Sequence, residues 1–116
     1  MLRLTPSGLR HIYATLRETM PFRRWSLPRA ENVVFGSVTR GNYAGICYHE
    51  RGGTPIIRIN ARRNKTLGDV VATMAHEMCH VRQFECGAKD DDAHGPAFKK
   101  LAAQVCHHHG FSEWSF

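Results

Sequence analysis

Residues 66 to 87, "TLGDVVATMAHEMCHVRQFECG", combine a helical apolar repeat with the pattern His76-Glu77-x-x-His80, and nothing else in the chain constrains it as tightly. Leu67, Val70, Val71, Met74, Met78 and Val81 recur at helical spacing. Successive helical residues advance ~100°, so with His76 at zero these six fall between about 120° and 220°. Asp69, Thr73, His80 and Gln83 share the side of His76. The histidines therefore oppose the core stripe, whereas a structural core histidine more often lies within it. Thr66 with Asp69 forms a capping-box-like start, and Gly87 supplies a stop.

Histidines four apart lie ~40° from one another on a helix, so both imidazoles can aim at one ion. Glu77 is offset enough to reach a metal-bound water and not the metal. Two ligands are too few, and three candidates offer a third. Cys86 stands where a longer form of the motif places its last histidine, but that form needs glycine at the position of Gln83. Asp90, Asp91 and Asp92 offer oxygen ligands, though an acidic run is usually a solvated loop. His94, in "AHGPAF", follows a loop long enough to return across the helix, and Gly95 allows close backbone approach, so it is favoured. The His107–His109 run reads as a helix C-terminus, where partly protonated imidazoles suit the dipole.

The remaining chain reads as one domain, residues 1–116, of α+β class. Thr5 and Pro6 open an N-terminal helix that runs to about Thr19, with Leu9, Ile12, Tyr13, Leu16 and Met20 at helical spacing. "NVVFGSVT", "NYAGICYHE" and "PIIRIN" are strand candidates, with Gly41-Asn42 and Gly52-Gly53 at the intervening turns. That spacing predicts a three-stranded antiparallel meander. The motif helix follows, then a last helix with Pro96 in its first turn and Phe98, Leu101, Ala102 and Val105 on one stripe, ending at Gly110. "PIIRIN" is a candidate edge for an extended peptide, and Tyr43, Tyr48 and His49 are candidates to stabilise an oxyanion.

No apolar run approaches the ~20 residues of a membrane span, and "MLRLTPSGLRH" lacks the apolar core of a signal peptide. The expectation is a cytoplasmic protein with reduced thiols; none of Cys47, Cys79, Cys86 and Cys106 forms a C-x-x-C pair. The net charge of +6 is uneven. Residues through Lys65 hold twelve Lys/Arg against three acids, and the remainder holds four against seven. A basic half joined to a mildly acidic one suits a polyanion surface set apart from other chemistry. "FRRW" (Arg23, Arg24, Trp25), Arg51 and "ARRNK" (Arg62, Arg63, Lys65) are candidate DNA contacts, because cations track phosphates while aromatic rings stack on exposed bases.

"YAGICYHERGGTPIIRIN", "LGDVVATMAHEMCHVRQF" and "AHGPAF" together resemble the SprT-like metalloprotease family, to which Spartan belongs. The likeness runs from the first strands through the last helix. It implies a minimal zincin-like domain, Zn2+ held by His76, His80 and His94, and Glu77 as catalytic acid/base. It further implies an endopeptidase acting on DNA-bound or DNA-crosslinked proteins, stimulated by DNA with single-stranded character, working as a monomer, and nuclear in a eukaryotic host. No zinc ribbon or long partner-binding tail follows the last helix in the given sequence. The competing expectation is a non-proteolytic, zinc-stabilised DNA-binding module. Glu77 separates the two, since a closed structural site needs no base beside its ligand.

Overall fold

A computed structural model describes residues 1–49, 53–87, 93–113 and 115–116. Helix α1 (Pro6–Arg17) starts where Thr5 accepts the Gly8 N–H at 3.0 Å and Pro6 takes a first-turn position. It ends two residues before the expected boundary, because the Thr19 hydroxyl donates to the Leu16 carbonyl at 2.6 Å and caps the last turn. Leu9, Tyr13 and Leu16 are its buried face. The segment that follows forms two short 3-10 turns, Phe22–Arg24 and Ala30–Asn32.

Strands β1 (Val34–Val38), β2 (Gly45–His49) and β3 (Pro55–Asn60) make one sheet. Its order is β1-β3-β2, with β1 parallel and β2 antiparallel to β3, which corrects the expected meander. Two features of β3 explain the mixed order. All of its residues except Arg58 are buried, the pattern of a strand covered on both sides. Its last residue, Asn60, is fully buried and donates to the carbonyls of Arg40 (2.9 Å) and Gly41 (3.4 Å). The link from β1 to β2 thus wraps the end of β3 and does not close as a hairpin, with Gly41 at φ 97° making the bend. The β2–β3 register, Gly45 opposite Ile59 through His49 opposite Pro55, keeps the expected hairpin pairing. As the centre strand, β3 has no free edge; β1 and β2 are the outer strands, and β2 is the one that lies against Thr73 and Glu77 of the motif helix.

Helix α2 (Leu67–Glu85) touches α1, α3, β2 and β3. Both bonds of the Thr66–Asp69 capping box are present, and Gly87 (φ 63°) follows the helix end. Val70, Met74, Met78 and Val81 are wholly buried in the core, each such side chain contributing about 1.5–3 kcal/mol. Leu67, expected on that stripe, is 62% exposed at the first helical position. Helix α3 (Pro96–His109) buries Phe98, Val105 and Cys106 and ends at Gly110 in the left-handed region. No helix among the described residues is long and apolar enough to cross a membrane.

A candidate metal centre

His76 and His80 leave one side of α2, and His94 arrives in the turn just before α3. Their ligand nitrogens all lie within 4.8 Å of one another. The Nε2 atoms of His76 and of His80 each stand 3.2 Å from Nε2 of His94. Three nitrogens each about 2.0–2.1 Å from a tetrahedral ion would be roughly 3.3 Å apart, so the spacing suits a metal. Among the described residues this is the one histidine, cysteine and carboxylate cluster with such geometry.

The opposite ring nitrogens decide the tautomers. Nδ1 of His76 lies 2.5 Å from the Phe116 carbonyl, and Nδ1 of His80 lies 2.7 Å from Oε1 of Gln83. Both partners only accept, so each Nδ1 carries the proton and each Nε2 presents a lone pair toward His94. A single proton on Nε2 of His94 could satisfy one of those lone pairs and not both, whereas a cation between the rings satisfies all three. Burial holds both imidazoles neutral: it pushes His76 down to about 4, with the Phe116 bond opposing and His80 and His94 adding to the fall. Burial likewise lowers His80, against its bond to Gln83. The arrangement fits a three-imidazole metal site with room for a further ligand.

Phe98 forms the floor beneath the three rings. Its centroid lies 4.8 Å from His76, 4.6 Å from His80 in a stacked arrangement, and 4.8 Å from His94. Glu77 lies beside them, 4% exposed, and burial raises its carboxyl to about 8. A cation held by the neighbouring imidazoles would lower it again. Glu77 faces β2 so closely that a Cβ at Gly45 would meet its Oε2 at 2.9 Å and Thr73 Cγ2 at 2.7 Å. Glycine is required here for close approach, not for backbone angle. Gly45→Ala is therefore expected to cost about 1–3 kcal/mol of stability by overpacking and to displace the Glu77 carboxylate. Chemical denaturation and a cleavage rate, measured together, check both effects.

Two cavities flank this group. One, about 440 Å³, lies between β2 and the end of α2, with Ile46, Cys47, Gln83 and Phe84 in its walls. The other, about 320 Å³, lies toward Ala72, Thr73 and the turn after α3. Both include His76, Glu77, His94 and Gly45, so the histidine cluster and the carboxylate sit between them.

The SprT-like family model matches residues 10–114. This chain belongs to the SprT-like family. That family is one of zinc-metalloprotease-like domains, and the three converging histidines of this SprT-like chain accord with it. No curated protein is significantly similar to the chain.

Other expected residues are placed less uniformly. Trp25 is 5% exposed, packs edge-on to Phe22 at 5.2 Å, and accepts a 2.6 Å bond from Arg82 at its carbonyl. It belongs to the core and cannot stack on a base, which corrects its assignment as a DNA contact. Arg23, Arg24, Arg62, Arg63 and Lys65 are exposed. The only ion pairs among the described residues are Arg17–Glu18 and Arg29–Glu31, each at 3.7 Å, so those five cations have no carboxylate partner there. Arg51 and Asp90 to Asp92 lie outside the described residues. Cys86 is exposed just past the end of α2 and is not in the cluster. Tyr48 lies under the Arg58 guanidinium on the sheet face opposite Gly45, and the His49 ring packs on Phe84 at 4.1 Å. Tyr43 packs against Gly41.

Gly45, Phe98, Gln83 and Phe116 were not assigned to the site from sequence. Gln83 carried a usable signal, since it falls three residues after His80 on the same helical side. Phe98 belongs to the "AHGPAF" block but reads as ordinary core. Gly45 and Phe116 act from distant segments with no local signature.

Proposed function

We propose that this chain is a zinc endopeptidase that acts on proteins bound or crosslinked to DNA. The observation that carries the reading is the convergence of three Nε2 atoms beside a buried carboxylate, Glu77, which shares α2 with His76 and His80. His76, His80 and His94 would hold the ion, which when bound supplies Lewis acidity to activate a water and polarise the substrate carbonyl. Glu77 takes the proton released as water adds to the peptide carbonyl. It then delivers that proton to the amine as the C–N bond breaks, leaving a carboxylic acid and a free amine. The Phe116 carbonyl and Gln83 hold His76 and His80 in the tautomer that keeps Nε2 available. The outer edge of β2, which pairs with no strand among the described residues, runs past Gly45 beside Glu77 and suits an extended peptide added as a further strand. A purely structural site gains nothing from Glu77, which disfavours the recruitment module.

Arg23, Arg24, Arg62, Arg63 and Lys65 support the nucleic-acid part of the reading, being exposed and without carboxylate partners among the described residues. The protein would act as a monomer in the cytoplasm, or in the nucleus of a eukaryotic host, on DNA with single-stranded character. The test is cleavage of a DNA-binding protein with and without single-stranded DNA, by the native chain and by Arg62→Glu/Arg63→Glu. The native enzyme is expected to be faster with DNA. The double variant should lose most of that stimulation and show a shallower salt dependence of DNA binding, with its DNA-free rate retained. A native rate indifferent to DNA would remove the nucleic-acid part and leave the peptidase.

A further inference from the structure

Beyond Gly110, whose left-handed backbone (φ 77°) ends α3, the chain turns back to the metal centre. The N–H groups of Ser115 and Phe116 both donate to the Ser112 carbonyl, at 3.2 and 3.1 Å, and close a compact turn. The rings of Phe111 and Phe116 stack at 5.7 Å with 13° between planes, and both pack against the hydrophobic core. The Phe116 ring lies 5.4 Å from the His76 ring, and its carbonyl meets His76 Nδ1 at 2.5 Å. The same residues wall the 320 Å³ cavity beside Glu77, facing Ala72 and Thr73.

From this placement we infer that the turn built from Phe111, Ser112, Ser115 and Phe116 is a working part of the site. Its main chain is a positioning element for His76, and its two rings shape a pocket for an apolar side chain of the substrate peptide. The inference rests on the peptidase reading above. Without the turn, His76 loses the acceptor that sets its tautomer, and its ring is free to rotate away from His80 and His94. The two aromatic side chains secure the carbonyl indirectly, by anchoring the turn through burial and stacking. Away from His76, Glu77 and His94, the pocket is lined by Phe111, Phe116, Ala44, Gly45 and Ala72 with the neutral Thr73, Ser112 and Ser115, a lining that favours apolar over charged side chains.

The test uses full-length Phe111→Ala/Phe116→Ala, the conservative Phe116→Leu, and Leu101→Ala as a control that loosens α3 packing elsewhere. Zinc affinity is read by competition with a chelating dye, and the His76 Nδ1 proton by nitrogen-15 NMR of the zinc-loaded protein. The double variant is expected to lose about 10- to 100-fold in zinc affinity, as outer-shell partners typically contribute, together with protection of that proton. Phe116→Leu and Leu101→Ala should keep both. On a peptide mixture, Phe116→Ala should cleave with a changed preference at one position next to the scissile bond. Should the double variant fail to fold, Phe116→Ala alone gives the same readings. Unchanged zinc affinity with a still-protected Nδ1 proton overturns the inference, and does so while native zinc binding and cleavage leave the peptidase reading intact. A native protein that binds no zinc defeats the peptidase reading instead.

Discussion

Glu77→Gln is expected to slow peptide cleavage by about 10²- to 10⁴-fold, the usual worth of a positioned general base, while zinc stays bound. Gln keeps the shape of the side chain beside Gly45 but cannot accept the proton of the attacking water. The same variant carries a second signature in the metal-free protein. Burial raises the Glu77 carboxyl from 4.5 to about 8 in the folded state. Below pH 4.5 it is protonated in folded and unfolded chains alike, so the burial of this carboxyl costs the fold nothing there through ionisation. As pH rises toward 8 the unfolded chain releases the proton first, and stability falls across that window. A neutral amide has no such loss. Metal-free Glu77→Gln should therefore melt higher than the metal-free native chain at pH 7 to 8, with the gap closing toward pH 4.5. Calorimetry across that range, beside a cleavage assay, tests both consequences. A variant that cleaves as fast as the native enzyme removes Glu77 from the mechanism.

His94→Ala should abolish stable zinc binding, with affinity lower by more than about 100-fold, beyond what outer-shell partners usually cost. His94 is exposed and comes from a separate turn, so its removal leaves α2, the Phe98 floor and the core in place. The metal-free variant should accordingly match the metal-free native protein to within about 0.5 kcal/mol, as surface substitutions generally do. Mass spectrometry under native conditions counts the zinc directly: one ion per native chain, none in the variant. Undiminished zinc after this substitution would return the third ligand to Cys86 or to one of Asp90 to Asp92.

What the sequence discloses here is local, and what it hides is long-range. The α2 helix was legible because its apolar repeat, its Thr66–Asp69 cap and its terminal glycine all act within a few residues of one another. The histidine pair was legible for the same reason, since helix geometry alone puts His76 and His80 on one side. The mixed sheet was not, because the order depends on where the buried amide of Asn60 finds carbonyls, about twenty residues back in the chain. Nor was Gly45, whose importance appears only where β2 meets Glu77 and Thr73 across the interior. The acceptor for His76 lies 40 residues away in sequence. Trp25 shows the converse limit: arginines beside an aromatic ring look like a nucleic-acid patch, yet packing against Phe22 turns the ring inward and leaves only the arginines outside.

The shared ion between three rings is the claim on which the peptidase reading depends, and X-ray absorption at the zinc edge of the loaded native protein tests it most directly. Three imidazole nitrogens at about 2.0–2.1 Å, with one further light atom, are the predicted shell. A sulfur neighbour at about 2.3 Å, or a protein that takes up no zinc at all, would contradict it.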